Sequence, residues 1–146
     1  MMRTTPFYPR LQELNHSHMW GNWAGYLSAT KYDLSSKHEY FGVRNAAGFF
    51  DTSPLNKYWI RGRDAERLCS YAFARDIRPV RPGRAQYTLW CDDAGFVMED
   101  GVVFRTAGDE FLLTAAEPNL GYLRGLARAF DAEIVEATED FASLAV

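Results

Sequence analysis

Apolar and polar residues follow two different periodicities along this chain, and these periodicities alternate several times. Alternation of period two, rich in β-branched and aromatic residues, predicts strands at residues 56–61, 86–91, 96–98, 102–104, 110–115, 131–136 and 141–146. Apolar residues three and four positions apart predict helices at residues 37–47, at 65–74 and from Pro118 to about residue 130. The short turns between the middle strands require antiparallel pairing. The sequence therefore predicts an α+β fold, an antiparallel meander with packed helices.

The predicted helices have recognisable end signals. Ser36 and Glu39 have the spacing of a capping box at the start of the first helix, and Gly48 suits its C-terminal end. Asp64 is a candidate N-cap for the second helix. Pro118 suits the first helical position of the third, where a missing backbone N–H costs little.

The stretch from residue 83 to 100, GRAQYTLWCDDAGFVMED, has the most informative pattern. Two strands flank the turn residues 92–95, in which Gly95 can adopt positive φ. Glu99 and Asp100 then interrupt an apolar run. Adjacent acids oppose strand propensity, and unpaired carboxylates are costly to bury. We therefore expect these two acids to have compensating partners or to face a cleft.

Length and composition restrict the class of protein. A chain of 146 residues, 47% apolar and 24% charged, is typical of one globular domain, here residues 1–146. A formal net charge of −3 argues against a dedicated nucleic-acid binder. No apolar run approaches the ~18 residues of a membrane span, and the N-terminus lacks a signal-peptide core. With Cys69 and Cys91 interpreted as reduced core thiols, these features predict a cytoplasmic protein without membrane contact.

Three local patterns leave alternatives open. His16 and His18 could bind a metal, but no nearby acid or cysteine completes a site, and we interpret them as polar loop residues. The aromatic residues 19–26 form either an irregular loop or short strand packed on a core, or the wall of an aromatic pocket. The arginines of residues 75–84 form either a solvated loop or a clamp for a polyanion such as a phosphate or a polyglutamate tail.

Four ordered motifs resemble the aminomethyltransferase family, which includes the T-protein of the glycine cleavage system. The matching stretches are VRNAAGFFD at residues 43–51, IRGRDA at 60–65, PGRAQYT at 82–88 and, more loosely, GFVMED at 95–100. Their order and spacing agree over about residues 4–146. Each motif alone is a weak signal, whereas the four together indicate the fold.

The resemblance implies tetrahydrofolate-dependent transfer of a one-carbon unit from an aminomethyl or methyl donor. By position in the motif, Asp100 is the central catalytic carboxylate and also contacts the folate, and Tyr87 lines the folate site. A carboxylate can bind pterin N–H groups and stabilise a developing cation, and an aromatic ring offers stacking area. From the residues alone, Asp100 could instead be a strand-end acid paired with Arg105, and Tyr87 a core tyrosine.

Several positions depart from the family pattern. Residues 53–55 read SPL where the family usually has SHM, and residues 114–118 lack the asparagine that helps to line the folate site in glycine-cleavage proteins. Glu99 stands where an aspartate is frequent. These departures favour a relative that acts on another methyl donor, such as a demethylase.

Family members are more than twice as long as this chain. We therefore expect a fragment or subunit of such an enzyme, whose site is completed by a second chain or by self-association. The alternative is a non-catalytic folate-binding or scaffold domain that acts with a partner chain. Whether the chain is an enzyme by itself is left open by the sequence.

Overall fold

The computed structural model describes residues 2–146, which group into two compact units. We call them the terminal unit, which runs to Pro54 and includes Glu139–Val146, and the sheet unit, Leu55–Thr138.

The terminal unit contains two short helices and two small antiparallel sheets. Its helices are α1 (Tyr8–Leu14) and α2 (Ser36–Asn45). The first sheet is a hairpin of β1 (Trp20–Trp23) and β2 (Tyr26–Ala29), and the second pairs β3 (Phe50–Asp51) with β9 (Leu144–Ala145). The aromatic segment at residues 19–26 thus lies mostly in a hairpin of short strands.

The start of α2 differs from the expected capping box. The N-cap is Ser35, whose side chain accepts a hydrogen bond from the Lys37 backbone N–H. Glu39 does not reach back to the cap. Its carboxylate accepts the backbone N–H groups of Tyr32 and Asp33 instead, so it fixes the loop that precedes the helix. The Ser36 capping-box prediction is therefore wrong by one residue, because two serines in succession offer the same chemistry.

The sheet unit is a five-stranded antiparallel sheet with two helices. Its elements are β4 (Asn56–Arg61), α3 (Ala65–Ala72), β5 (Arg84–Cys91), β6 (Val97–Ala107), β7 (Glu110–Ala115), α4 (Leu120–Ala127) and β8 (Glu133–Glu136), followed by a 3₁₀ turn at Thr138–Asp140. The spatial strand order is β5-β6-β7-β4-β8, and every neighbouring pair is antiparallel. The predicted α+β class and antiparallel meander are confirmed.

Strand alternation sends one set of side chains into a core against α3 and α4. Tyr58 and Ile60 on β4 are opposite Leu113 and Phe111 on β7, and all four are at most 1% exposed. Residues from the other elements complete this core: Leu68, Cys69, Phe73, Ile77, Trp90, Val103, Leu123 and Ile134. The opposite face of the sheet carries no helix of this unit, and we call it the open face.

Several element boundaries depart from the sequence prediction. β6 runs unbroken through Glu99 and Asp100, because the two acids alternate between faces like any other strand residues. Pro118 lies before α4 rather than inside it, and Asn119 is the N-cap residue. α1, β1 and β2 were not predicted as such. Among residues 2–146, no helix is both long enough and apolar enough to cross a membrane.

Candidate functional site

Two adjacent acids on β6 occupy opposite faces of the sheet. Glu99 is paired with Trp90 on the helix-covered face and is only 8% exposed. Asp100 is paired with Leu89 and points to the open face, where it is exposed. Because successive strand residues alternate, a single dipeptide places one carboxylate in the core and the other on the surface.

The buried carboxylate of Glu99 is compensated by backbone donors. One of its oxygens accepts the backbone N–H of Asp100 at 2.8 Å, and the other accepts that of Glu117 at 2.7 Å. Hydrogen bonds from N–H groups to an ionised carboxylate are among the stronger ones in proteins and offset the cost of burial. Glu99 therefore ties β6 to the turn before α4, and this role was not anticipated from the sequence.

The open face brings the two predicted site residues into direct contact. Tyr87 on β5 is opposite Val102, so it shares its face with Asp100, two positions along β6. The Tyr87 hydroxyl donates a hydrogen bond of 2.8 Å to a carboxylate oxygen of Asp100. This places an aromatic ring and a carboxylate side by side on adjacent strands.

The contact also changes the acidity of the tyrosine. The hydrogen bond to Asp100 and, to a smaller extent, burial and the nearby negative charges raise the pKa of Tyr87 above its ordinary value. A tyrosine hydroxyl is protonated at neutral pH, so Tyr87 is the donor of this hydrogen bond, and the second oxygen of Asp100 can accept another donor.

The structure shows neither an Asp100–Arg105 ion pair nor a core position for Tyr87, the two non-functional alternatives for these residues. Arg105 points to the helix-covered side, where it forms a 2.7 Å ion pair with Glu66, and it is not paired with Asp100. Tyr87 is 55% exposed and is therefore not a core tyrosine. Among residues 2–146, no arginine, lysine or histidine forms an ion pair with Asp100.

Apolar side chains surround the tyrosine–aspartate pair on the open face. Val97, paired with Cys91, and Phe104 share this face of β6 and are 61% and 38% exposed. Val102 and Leu89 lie next to the pair on the same face and are partly buried. An accessible apolar surface with one carboxylate and one phenol is suited to a flat ring that carries N–H donors.

Gly101 sets the distance between β6 and β7 beside Asp100. A Cβ at this position would lie 1.9 Å from the Thr114 backbone oxygen. Only glycine permits this approach, so the Glu99-Asp100-Gly101 stretch combines a core carboxylate, a surface carboxylate and a close strand contact. Thr114 is the β7 residue that faces the open side here, opposite Val102, and residue 115 is a buried alanine.

A large cavity belongs to the terminal unit and contains none of the predicted site residues. It has a volume of about 1030 Å³, and its lining includes Tyr8, Trp20, Trp23, Tyr32, Tyr40 and Phe50. Two acids of its wall already have partners: Glu39 accepts two backbone N–H groups, and Asp51 accepts the Thr5 hydroxyl and the Ser53 N–H. Trp20 and Trp23 belong to the aromatic segment 19–26, so this segment is both a strand hairpin and the wall of an aromatic pocket, the two alternatives that the sequence left open.

The histidines and cysteines of the described residues form no metal site. Within the described part of the chain, no group of three or more histidine, cysteine or acidic side chains could hold a metal ion. Cys69 is fully buried in the core, and burial raises the pKa of its thiol to about 12. Cys91 is half-buried at the end of β5, so the prediction of two core thiols holds for Cys69 only.

The whole region that contains these elements matches one family model. That model, the GCVT N-terminal domain, covers residues 7–146. The chain belongs to this family. Three of the family-like motifs lie where one element ends or the next begins. Residues 43–51 connect α2 to β3, residues 60–65 connect β4 to α3, and residues 82–88 include the start of β5.

Curated relatives of the chain are aminomethyltransferases. The aminomethyltransferase of one Thermus thermophilus strain is 32% identical over 149 aligned residues, which cover 99% of this chain and 42% of the relative. That of Clostridium botulinum Langeland is 33% identical and covers 85% of this chain and 34% of the relative. The chain thus spans less than half the length of the relatives that it matches.

A solved structure has the same fold. The glycine cleavage system aminomethyltransferase T of Bartonella henselae superposes with a TM-score of 0.84 at 24% identity, over 93% of this chain and 38% of the other. The predicted family and the predicted fold, incomplete relative to the full-length relatives, are confirmed.

Proposed function

We propose that this chain forms part of a tetrahydrofolate-dependent one-carbon transferase, with its pterin site on the open face at Tyr87 and Asp100. The observation that carries the proposal is the 2.8 Å hydrogen bond between these two exposed side chains, which the register of β5 and β6 brings together. Membership of the family supplies the aminomethyltransferase context.

The two residues have complementary roles in this proposal. Tyr87 presents ring area and holds one oxygen of Asp100, which fixes the orientation of the carboxylate. The other oxygen accepts an N–H of the reduced pterin. When a one-carbon unit leaves its donor with developing positive charge, a carboxylate at contact distance stabilises that charge electrostatically. Tetrahydrofolate supplies the acceptor nitrogen for the unit.

The donor is either an aminomethyl group or a methyl group on nitrogen, sulfur or oxygen. Among the described residues of β7, none has a side-chain amide; the open-face residue of β7 nearest to Asp100 in the register is Thr114, which is opposite Val102. Asn119, which follows shortly after, is buried, and its side chain binds Trp90 and the backbone oxygen of Glu117. This difference favours a methyl donor, as in a demethylase, over a strict glycine-cleavage role.

We further propose that the site is completed by polypeptide beyond these residues, supplied by a second chain or by self-association. The chain matches only 42% of the length of the Thermus thermophilus aminomethyltransferase. The open face also leaves Val97 and Phe104 exposed, and a covering partner would bury them. The second candidate is a non-catalytic folate-binding or scaffold domain that acts with a partner. It is favoured by the position of Tyr87 and Asp100, which are exposed on the surface of the sheet.

Calorimetric titration with tetrahydrofolate tests the binding part of the proposal. The chain is titrated alone and after co-expression with the C-terminal part of a family-length aminomethyltransferase. We expect Tyr87→Ala to weaken binding by roughly tenfold, since stacking and an oriented carboxylate are lost together. Tyr71→Ala is the matched control, because Tyr71 is a similarly exposed tyrosine on α3.

Two outcomes separate the candidates. Tetrahydrofolate binding that depends on Tyr87 but is never accompanied by transfer identifies the non-catalytic domain. Absence of binding in both protein states, or equal losses in the Tyr87 and Tyr71 variants, contradicts a folate site at this position.

A further inference from the structure

The loop between α3 and β5, together with the first residue of β5, presents a regular series of arginines. We call residues 75–84 the arginine loop; its four arginines recur at every third position and are all exposed: Arg75, Arg78, Arg81 and Arg84. Two apolar residues between them, Ile77 and Val80, are 0% and 7% exposed. The loop therefore has a buried side and a cationic side.

Hydrogen bonds fix the backbone of this loop to the sheet. The backbone oxygen of Val80 accepts a 3.1 Å hydrogen bond from the Arg105 guanidinium, and that of Asp76 accepts one of 3.1 Å from the Gln86 side chain. Such contacts hold the positions from which the arginines project. Because the backbone is already ordered, less conformational entropy is lost when a ligand binds there.

Charge compensation within the arginine loop is incomplete. Arg78 makes a two-pronged contact with Asp76, with both distances at 2.9 Å. For Arg75, Arg81 and Arg84, no ion pair occurs with any acidic side chain among residues 2–146. The loop thus carries three uncompensated positive charges in a chain whose net charge is −3.

Two of these arginines lie on or beside the strand that carries Tyr87. The Arg75 guanidinium is 3.4 Å from the Tyr87 backbone oxygen. Arg84 is on the same strand three residues earlier, about 10 Å away at ~3.3 Å per residue. Alternation directs Arg84 away from the face of Tyr87, but β5 is the outer strand of the sheet, so a long side chain at its first residue can extend around that edge. Arg84 is also directly opposite Arg105, an arrangement of like charges that does not favour strand pairing.

We propose that Arg75 and Arg84 bind the glutamyl carboxylates of tetrahydrofolate, whose pterin lies against Tyr87 and Asp100. This inference rests on the proposed folate site. Folates carry their carboxylates at the far end of an aminobenzoyl tail, so the groups that bind them must lie some distance from the pterin site, as Arg84 does three residues before Tyr87 on the same strand. Guanidinium groups bind carboxylates in a two-pronged geometry, and additional γ-linked glutamates would add further charges for the arginine loop.

Calorimetry with three ligands tests this inference: 6-methyltetrahydropterin, which has no tail, tetrahydrofolate with one glutamate, and tetrahydrofolate with three. It uses whichever protein state binds tetrahydrofolate in the titration above. We expect the triglutamate form to bind about fivefold more tightly than the monoglutamate, with a smaller difference at high salt because the charges are screened. In the Arg75→Gln/Arg84→Gln variant this preference should disappear, with pterin affinity unchanged within about twofold.

Arg128→Gln provides the matched control, because Arg128 is an exposed arginine at the C-terminal end of α4. Retention of the triglutamate preference in the double variant overturns the inference while leaving the folate site intact. A loss of the same size in Arg128→Gln does so as well, since it would show an effect of net charge only. If none of the three ligands binds the wild-type protein, both the tail site and the pterin site are wrong.

Discussion

At the scale of residues, the two adjacent carboxylates on β6 have different roles, one structural and one at the proposed ligand site. Glu99 is buried and satisfied by two backbone N–H groups, so it stabilises the fold. Asp100 is exposed and shares a hydrogen bond with Tyr87, so one of its oxygens is available to a ligand. The expectation that these acids have partners or face a cleft is met in different ways by each of them.

The contact between Tyr87 and Asp100 predicts a measurable titration shift. The hydrogen bond raises the pKa of Tyr87, so its stabilising effect is present below the ordinary tyrosine pKa and is lost as the pH rises through the raised value. Asp100→Asn should lower the pKa of Tyr87, because the negative acceptor is removed. NMR of ¹³Cζ-labelled tyrosine measures this shift, with Tyr87→Phe used to assign the signal. An unchanged Tyr87 titration in Asp100→Asn contradicts the contact.

A second prediction concerns the structural role of Glu99. Glu99→Gln leaves one buried backbone N–H facing an amide nitrogen instead of an oxygen. We expect a loss of about 1–3 kcal/mol in the free energy of unfolding, the usual cost of one unsatisfied buried group. Urea denaturation measures it, with Glu133→Gln at an exposed position of β8 as the control. Equal effects of the two substitutions would show that Glu99 is not a specific tether.

At the scale of elements, the sequence located the sheet better than the helices. The strands at residues 56–61 and 110–115 are confirmed residue for residue; both are rich in aromatic, apolar or β-branched residues, and they pair with each other. α1 was not predicted, although its proline at the first turn is a favourable start signal. α4 ends at Ala127, before the predicted residue 130, since the apolar periodicity continues past the end of the helix.

Only part of the candidate site could be predicted from the sequence. Motif resemblance singled out Tyr87 and Asp100, and the period of two assigns each residue to a face of its own strand. The register of β5 against β6, which places these two side chains in contact, is a property of the whole hairpin. The links from Glu99 to Glu117 and from Arg105 to Glu66 join segments that are distant in sequence and carry no local signal.

A prediction at this scale concerns the contact between β6 and β7. Gly101→Ala would place a Cβ 1.9 Å from the Thr114 backbone oxygen, so the strands must separate beside Asp100. We expect a loss of about 1–3 kcal/mol in unfolding free energy, as for other overpacked sites. Thermal or urea unfolding measures it. Gly108→Ala is the control, because a Cβ at Gly108 would meet no atom within 4 Å. A stable Gly101→Ala protein would contradict the close strand approach.

At the scale of the whole molecule, the chain is a family member that spans less than half the length of its curated relatives. Its terminal unit leaves large apolar side chains of α2 exposed, among them Tyr40 and Phe41, and no residue of α2 is buried. The sheet unit likewise leaves an apolar open face around Asp100. Both units therefore expose surface that is suited to burial against further polypeptide.

The most direct test of the central claim compares transfer with binding in Asp100→Asn. The protein, completed by the C-terminal part of a family-length relative, is supplied with one donor of each class: an aminomethyl thioether, an N-methylamine, a methyl sulfide and a methyl ether. Mass spectrometry then quantifies methylene- and methyl-tetrahydrofolate, and calorimetry gives the Kd of tetrahydrofolate. Asp93→Asn, an exposed acid in the β5–β6 turn, is the control.

We expect Asp100→Asn to lower the transfer rate by about a hundredfold or more, as for removal of other groups that stabilise transition-state charge. The Kd of tetrahydrofolate should change by less than about tenfold, because the asparagine still accepts the Tyr87 hydroxyl. Equal losses of transfer and binding would make Asp100 a binding residue only. An unchanged transfer rate in Asp100→Asn, or no transfer by the wild-type protein from any donor, would contradict the proposed catalytic site.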